Sequence, residues 1–529
     1  MYMLTATCTV CGRHKLKIRP AGHRSQGPGG FFCVQISRSA VYYNIIIYLL
    51  PQYACRPAGQ AGAQDGSKGA YRTDNMKQVN FEDGKITRNI LQTALPLLLA
   101  QVLNLLYSII DRMYIGRIPD TGTEALGAIG LCFPLILIIT GFTNMFGMGG
   151  SPLFSMALGQ KDRQRAGEIQ NTAYRLLLLT ALVLMAVGEL FGSPLLLLFG
   201  ATEAELPMAL SYLRIYLLGT VFIMLSTGMN SYINAQGYSF YGMISVTIGA
   251  ITNLILDPIL IFSLGMGIQG AAAATVIAQL LSLSYSTWFL FFSGKNMFRI
   301  RFAWKFPHAK DIITLGISPF VMSCTNSLVS IVCNNMLMAY GGSVYVSVMT
   351  IVSSVRSILD VPAQAITEGS SPVISYNYGA CRPQNVRKSI RVMMTIVLPY
   401  TLTVWLLVML VPEMFIRIFS SSEELMADAA RALHLYFFCF IFQSCQYSGQ
   451  TVFKALGKRK QNIFFSLFRK VILVVPLTLI LPHFLGTDGV FIAEPVSNLV
   501  GGLACFITML ATVLPELKRM EQGAQPDTR

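Results

Sequence analysis

Five acidic residues sit inside long apolar stretches of this 529-residue chain: Asp111, Asp257, Asp360, Glu368 and Glu494. An ionised side chain at the centre of a bilayer costs about 2.5–3.5 kcal/mol on insertion scales, so acids kept there face a cavity or a partner. Asp257 follows Asn253 by four residues, which puts both on one face of a helix. Pro258, next in line, has no amide hydrogen and frees a carbonyl one turn back. Asp257 lies 7 residues before the end of its apolar stretch, and Thr275 lies 7 residues after the start of the next. Asp111 stands 4–5 residues from the end of its own stretch. All belong to the same half of the membrane, and one polar cluster of Asp111, Asn253, Asp257 and Thr275 is expected. Two carboxylates confined in a poorly hydrated pocket disfavour double ionisation, so one is expected to take up and release H+ near neutral pH. The same carboxylates, with amide and hydroxyl oxygens, suit a hard cation such as Na+ held at Asp111 and Asp257. The residues alone leave both open, beside the plainer reading that they are hydrogen-bonded packing groups. No structural metal is expected there.

Asp360 and Glu368 are eight residues apart near one helix face, with Arg356 four residues before Asp360. They read either as an ion pair or as acids lining a substrate cleft, where they would meet a cationic compound. Met145, Met224 and Phe442, among 25 Met and 32 Phe, offer the adaptable apolar wall of a promiscuous site. Arg469 and Lys470 read as cations that satisfy buried carbonyls or snorkel rather than bind substrate. No HExxH, GxxxxGK[ST] or GxSxG stretch accompanies these groups, so enzymatic chemistry is not expected. Gly147-Met148-Gly149-Gly150 reads as a helix-packing or bending stretch. Cys8 and Cys11, near His14, His23 and Cys33, lack the second CxxC that would complete a zinc site.

The elements that must position these groups follow from composition. Hydrophobic residues make up 53% of the chain, charged ones 12%, and the mean hydropathy is +0.55. A soluble domain carries about 25% charge, so a water-soluble enzyme and a nucleic-acid-binding domain are both excluded. Twelve apolar spans, each long enough to cross about 30 Å of hydrocarbon, fall near 90–115, 125–157, 169–191, 208–233, 242–264, 268–292, 312–340, 344–376, 390–411, 425–453, 463–484 and 489–514. Helices are expected, because a backbone in lipid must satisfy its own hydrogen bonds. The loops after spans 2, 6, 8 and 10 hold 15 Lys and Arg, against Arg117 and Arg417 on the other side. The positive-inside rule makes the first set cytoplasmic, with both chain ends. The net charge of +15 is therefore a matter of topology.

The two halves repeat. Ser151-Pro152 and Gly159 recur as Ser371-Pro372 and Gly379, an offset of 220, and Tyr216 and Ala235-x-Gly237 recur as Tyr436 and Ala455-x-Gly457. Six spans per half give parallel repeats related by an axis along the membrane normal, the architecture of two lobes that alternate access to a cleft. The expected fold is an all-α polytopic membrane protein with twelve helices in two pseudo-symmetric six-helix lobes. The expected divisions are a disordered extension or mis-assigned start over 1–84, an N-lobe over 85–294, a linker over 295–311, a C-lobe over 312–515 and a tail over 516–529. Met76 is a plausible start. At the repeat-equivalent places of the acidic cluster the C-lobe has Asn334, Leu477 and Glu494, so the cluster is not duplicated.

Pro96 followed by Ile110-Asp111-Arg112-Met113-Tyr114-Ile115-Gly116, Asn253 to Asp257-Pro258, Gly270 to Thr275, and Ser371 to Gly379 together resemble the multidrug and toxic compound extrusion (MATE) family, nearest its MepA-type branch. The resemblance covers about residues 85–515. It implies a secondary transporter, without a cofactor, that exports amphipathic and often cationic drugs against inward H+ or Na+. It also implies that Asp111, Asn253, Asp257 and Thr275 match the family's N-lobe cation site. Its expected setting is a bacterial inner membrane, with lipid and small organic cations as partners, no nucleic acid, and a monomeric state. A lipid-linked saccharide flippase of the same broader superfamily is the rival reading.

Overall fold

A computed structural model describes residues 78–522, apart from 83, 120, 200, 204, 295, 297–304 and 418–422. The chain divides into Met1–Thr73 and Asp74–Arg529, and every described residue belongs to the second unit. The expectations for residues 1–77, including Cys8, Cys11 and Met76, and for most of the linker therefore lie outside the described residues.

The described residues form helices. Spans 1 to 3 are Ile86–Ile115, Gly122–Gly159 and Arg163–Leu198. Span 4 is two helices, Leu206–Leu218 and Thr220–Ala235, bent by 51° at Gly219. Span 5, Ser239–Pro258, continues as a wider π-helical turn over Ile259–Ser263, and span 6 is Gly267–Phe291. Spans 7 and 8 run together as Ala309–Gly379, broken at Gly342, whose φ of 69° suits a residue without a Cβ. Span 9 is Pro383–Leu410. Span 10 is the pair Glu423–Phe437 and Ile441–Ala455. Span 11 begins as Arg459–Leu467, widens to a π-helix over Phe468–Val474, and resumes as Val475–Ile480. Span 12, Thr487–Glu521, runs past residue 515 into the expected tail.

Ten of these are long and apolar enough to cross a membrane, and the bent pair of span 4 makes an eleventh. Span 10 completes the twelve of an all-α polytopic membrane protein. It is polar for a span because buried Gln443, Gln446 and Gln450 turn inward. Spans 2 and 3 exceed the expected bounds of 125–157 and 169–191 at both ends.

Residues 78–82 are packed, although they fall within the expected extension. Val79 and Phe81 bury against Ile86, Ile90 and Val373, and the Val79 amide donates to Gly237 O at 2.9 Å. The folded part thus begins before residue 84, because Val79 and Phe81 cover span 1 and span 8 together.

The halves meet through glycine. A Cβ on Gly149 of span 2 would come within 2.6 Å of Gly316 Cα and 2.7 Å of Ile312 O on span 7. One on Gly369 of span 8 would come within 2.6 Å of Ala94 Cα on span 1. Small residues let backbones approach this closely where lipid supplies no hydrophobic drive. Higher up, Phe142 and Phe320 rings sit 4.9 Å apart and Asn144 Nδ2 donates to Ser323 Oγ at 3.3 Å. On the basic face, Glu82 accepts from Tyr376 Oη across the halves at 3.1 Å. The described contacts between the halves therefore reach from the basic face to about mid-membrane.

Candidate functional site

Between the halves lies a cleft of about 730 Å³, walled by spans 1 and 2 on one side and spans 7, 8, 10 and 11 on the other. Two further spaces adjoin it. One of about 350 Å³ shares Gln101, Asn104, Asn144, Met148, Glu368 and Lys454 with the cleft. The other, about 40 Å³ inside the N-terminal half, has Asn253 and Thr275 in its wall and shares Asn104 with both. That volume exceeds the 10–15 Å³ of probe space a water needs, and its wall is polar enough to hold one.

The acidic cluster forms beside this small cavity. Span 5 supplies Asn253 and Asp257, one helical turn apart and 2% and 1% exposed. Asn253 Nδ2 donates to Asp257 Oδ1 at 3.2 Å and reaches Thr275 Oγ1 of span 6 at 3.4 Å. Span 1 brings Asp111 within electrostatic reach of Asp257, and two carboxylates this near each other are eased by a shared proton or a cation. Asp111 Oδ1, Asp257 Oδ2 and Asn253 Oδ1 are all buried without a hydrogen-bond partner. These three acceptors fall in one cluster, whereas buried polar atoms are ordinarily paired. They form an acceptor-only set that suits H+ or a small hard cation. Among the described residues no three His, Cys, Asp or Glu side chains gather as a transition metal would need. The π-helical turn after Pro258 relieves the helix where the ring removes a backbone bond.

The opposite wall is a charge network. Asp360 accepts from Arg356 Nε at 3.2 Å, from Gln443 Nε2 at 3.0 Å and from Tyr447 Oη at 3.1 Å. Glu494 Oε1 takes Arg356 at 2.7 Å, Arg469 at 3.2 Å and Lys470 at 3.2 Å, and Arg469 Nη1 also donates to Asn498 Oδ1 at 2.8 Å. Glu368 accepts from Gln101 Nε2 of span 1 at 3.0 Å and lies within electrostatic reach of Lys454. Removing one member of a buried ion network costs about 3–5 kcal/mol, because the others lose their counter-charge. Glu494→Gln is therefore expected to lower the thermal unfolding midpoint in detergent sharply, whereas exposed Arg417, paired to Glu413 at 3.6 Å, is replaceable without a measurable shift.

Asp360 and Glu368 line the cleft. Met145, Met224 and Phe442 are not in its wall. Met145 backs onto Gly316, Met224 is fully buried in the core of the N-terminal half, and Phe442 packs behind Gly502. Hydropathy could not separate a wall methionine from a core one, and Met148, Met322 and Met349 hold the wall positions. Lys454 was legible and missed: it is an ionisable residue inside a span, the feature that picked out the acids. Gln101, Asn104 and Ser108 needed the helix pose, because polar neutral residues are common on any helix face.

The profile of the MatE family matches residues 96–259 and 319–480, once in each half. A FAD transporter of Shewanella oneidensis is 27% identical over 80% of this chain and 94% of its own length. The multidrug export protein MepA of Staphylococcus haemolyticus is 24% identical over 78% of this chain and 90% of its own. The outward-facing structure of a multidrug resistance MATE family transporter of the MOP superfamily superposes with a TM-score of 0.78 at 22% identity. It covers 84% of this chain and 99% of that one, and at this identity it speaks for the fold.

Proposed function

This chain belongs to the MatE family, and on that premise we propose that it exports amphipathic small molecules, cationic drugs among them, by exchange for H+ or Na+. The observation that carries the reading is the pocket of Asp111, Asn253, Asp257 and Thr275, with three unpaired buried oxygens beside the cleft. Span 1 is the link. It carries Asp111 at one level and Gln101, Asn104 and Ser108 in the cleft wall at another. Binding of a cation joins Asp111 to span 5 and reshapes that wall, which lowers substrate affinity. The ion must bind the two states unequally, or no work is done. The basic loops face the cytoplasm of an inner-membrane-bound monomer, and residues 85–294 and 312–515 rock about the linker at 295–311. The contacts closed on the basic face correspond to the state open outward. MepA supports drugs as substrates, and the Shewanella relative widens the class to a flavin dinucleotide.

The test is purified protein in liposomes, with a pH or Na+ gradient imposed and efflux of ethidium followed by fluorescence. Efflux should follow one gradient and collapse with it. Efflux indifferent to both gradients would remove the exchange reading.

A further inference from the structure

We propose that the C-terminal wall of the cleft is an anion site, which takes a carboxylate or phosphate group of the transported molecule at Arg356, Arg469 and Lys470. The proposal rests on the transporter reading and adds a substrate class to it. All three cations line the cleft, whereas Glu494, the carboxylate that holds them, stands behind the wall. One oxygen, Glu494 Oε1, receives all three. Asp360 answers only Arg356 among them. With Lys454 and Glu368 included, four cations are met by three carboxylates around one cavity. A buried charge without a counter-ion is costly, and a cleft of about 730 Å³ has room for a mobile one.

The hydrogen-bond inventory agrees. A guanidinium has five N–H donors in a planar fork. Arg356 spends its groups on Asp360, Glu494 and Tyr436 Oη. Arg469 uses Nη1 for both Glu494 and Asn498, so its Nε and Nη2 have no acceptor among the described residues. Lys470 makes a single bond through an ammonium that can make three. Unused donors on adjacent cations match an oxyanion, and Arg is suited to bidentate contact with carboxylate or phosphate.

The backbone explains how successive residues serve one site. Arg469 and Lys470 stand in the π-helical stretch Phe468–Val474 of span 11. Side chains one residue apart in an α-helix point about 100° apart, and the wider π turn narrows that angle. Single π turns inside α-helices recur at functional sites. The repeat-equivalent span 5 also has a π turn, but its pocket holds acids instead. The lobes thus offer opposite charges, and the cleft suits an amphipathic anion or zwitterion, with Met148, Met322 and Met349 for its apolar body.

The experiment measures equilibrium binding to the purified full chain in detergent by fluorescence polarisation, with carboxyfluorescein as anionic probe and ethidium as cationic probe. No gradient is needed, so failure of ion exchange would leave the result readable. Arg469→Gln and Lys470→Gln should each lower the ratio of carboxyfluorescein to ethidium affinity at least tenfold, and Arg469→Lys should restore part of it. An unchanged ratio overturns the proposal. An equal loss for both probes overturns it too, because it makes the wall a scaffold without charge preference. Displacement by inorganic pyrophosphate assigns the site to soluble anions, and displacement by farnesyl diphosphate alone assigns it to a lipid-borne phosphate. Displacement by neither, with weak wild-type carboxyfluorescein binding, overturns it.

Discussion

Asp257→Asn is expected to abolish gradient-driven efflux in proteoliposomes while the protein remains folded. The substitution keeps the shape and an oxygen that can accept the 3.2 Å bond from Asn253 Nδ2. It removes the negative charge and the exchangeable proton, so the pocket can no longer distinguish an ion-loaded from an empty state. Coupling free energies of 1–3 kcal/mol correspond to about 5–150-fold in affinity, and it is this dependence of substrate affinity on the ion that the substitution removes. Asp111→Asn should give the same loss, because Asp111 of span 1 lies within electrostatic reach of Asp257 of span 5. Thr275→Ala should cost less, since its contact is the long one at 3.4 Å. A monodisperse Asp257→Asn protein that pumps at the wild-type rate would refute the ion site while leaving the fold untouched.

Gly149→Val is expected to be as damaging, by a different route. Its Cβ would meet backbone, Gly316 Cα at 2.6 Å and Ile312 O at 2.7 Å, with no flexible side chain to yield. Overpacking of this kind costs about 1–3 kcal/mol, which here falls only on the arrangement closed at the basic face. Spin labels at Gln160 and Ala380, near the close approach of Gly159 to span 8, should report a longer distance. Transport should drop with it. Unchanged distance and rate would show that this face does not need to close.

The sequence carried a large part of the architecture because lipid enforces it. Apolar length was sufficient to place the spans, and the offset of 220 residues was sufficient for the two halves. Span 10 was harder, since its inward glutamines lower its hydropathy and only their buried partners account for them. The acidic pocket was legible because Asp257, Asn253 and Pro258 are neighbours in one helix, and depth alone aligned Asp111 and Thr275 with them. The charge network was legible only at Arg356 and Asp360, four residues apart on one helix. Arg356, Arg469 and Glu494 come from three helices far apart in the chain, and neither spacing nor composition says that one carboxylate oxygen receives three cations. Arg469 and Lys470 read as cations that satisfy buried carbonyls or snorkel; they are buried, and their partner is the carboxylate of Glu494.

The glycine contacts have a kinetic corollary. A gate made of one bulky side chain can swing aside by a rotamer change within nanoseconds, and it leaks whenever it does. Here backbone rests on backbone at Gly149 and Gly316, and again at Gly369 and Ala94, so nothing small is free to rotate. The seal can open only when whole helices part. On the proposed exchange mechanism, that ties its opening to the slower microsecond-to-millisecond regime of domain movement.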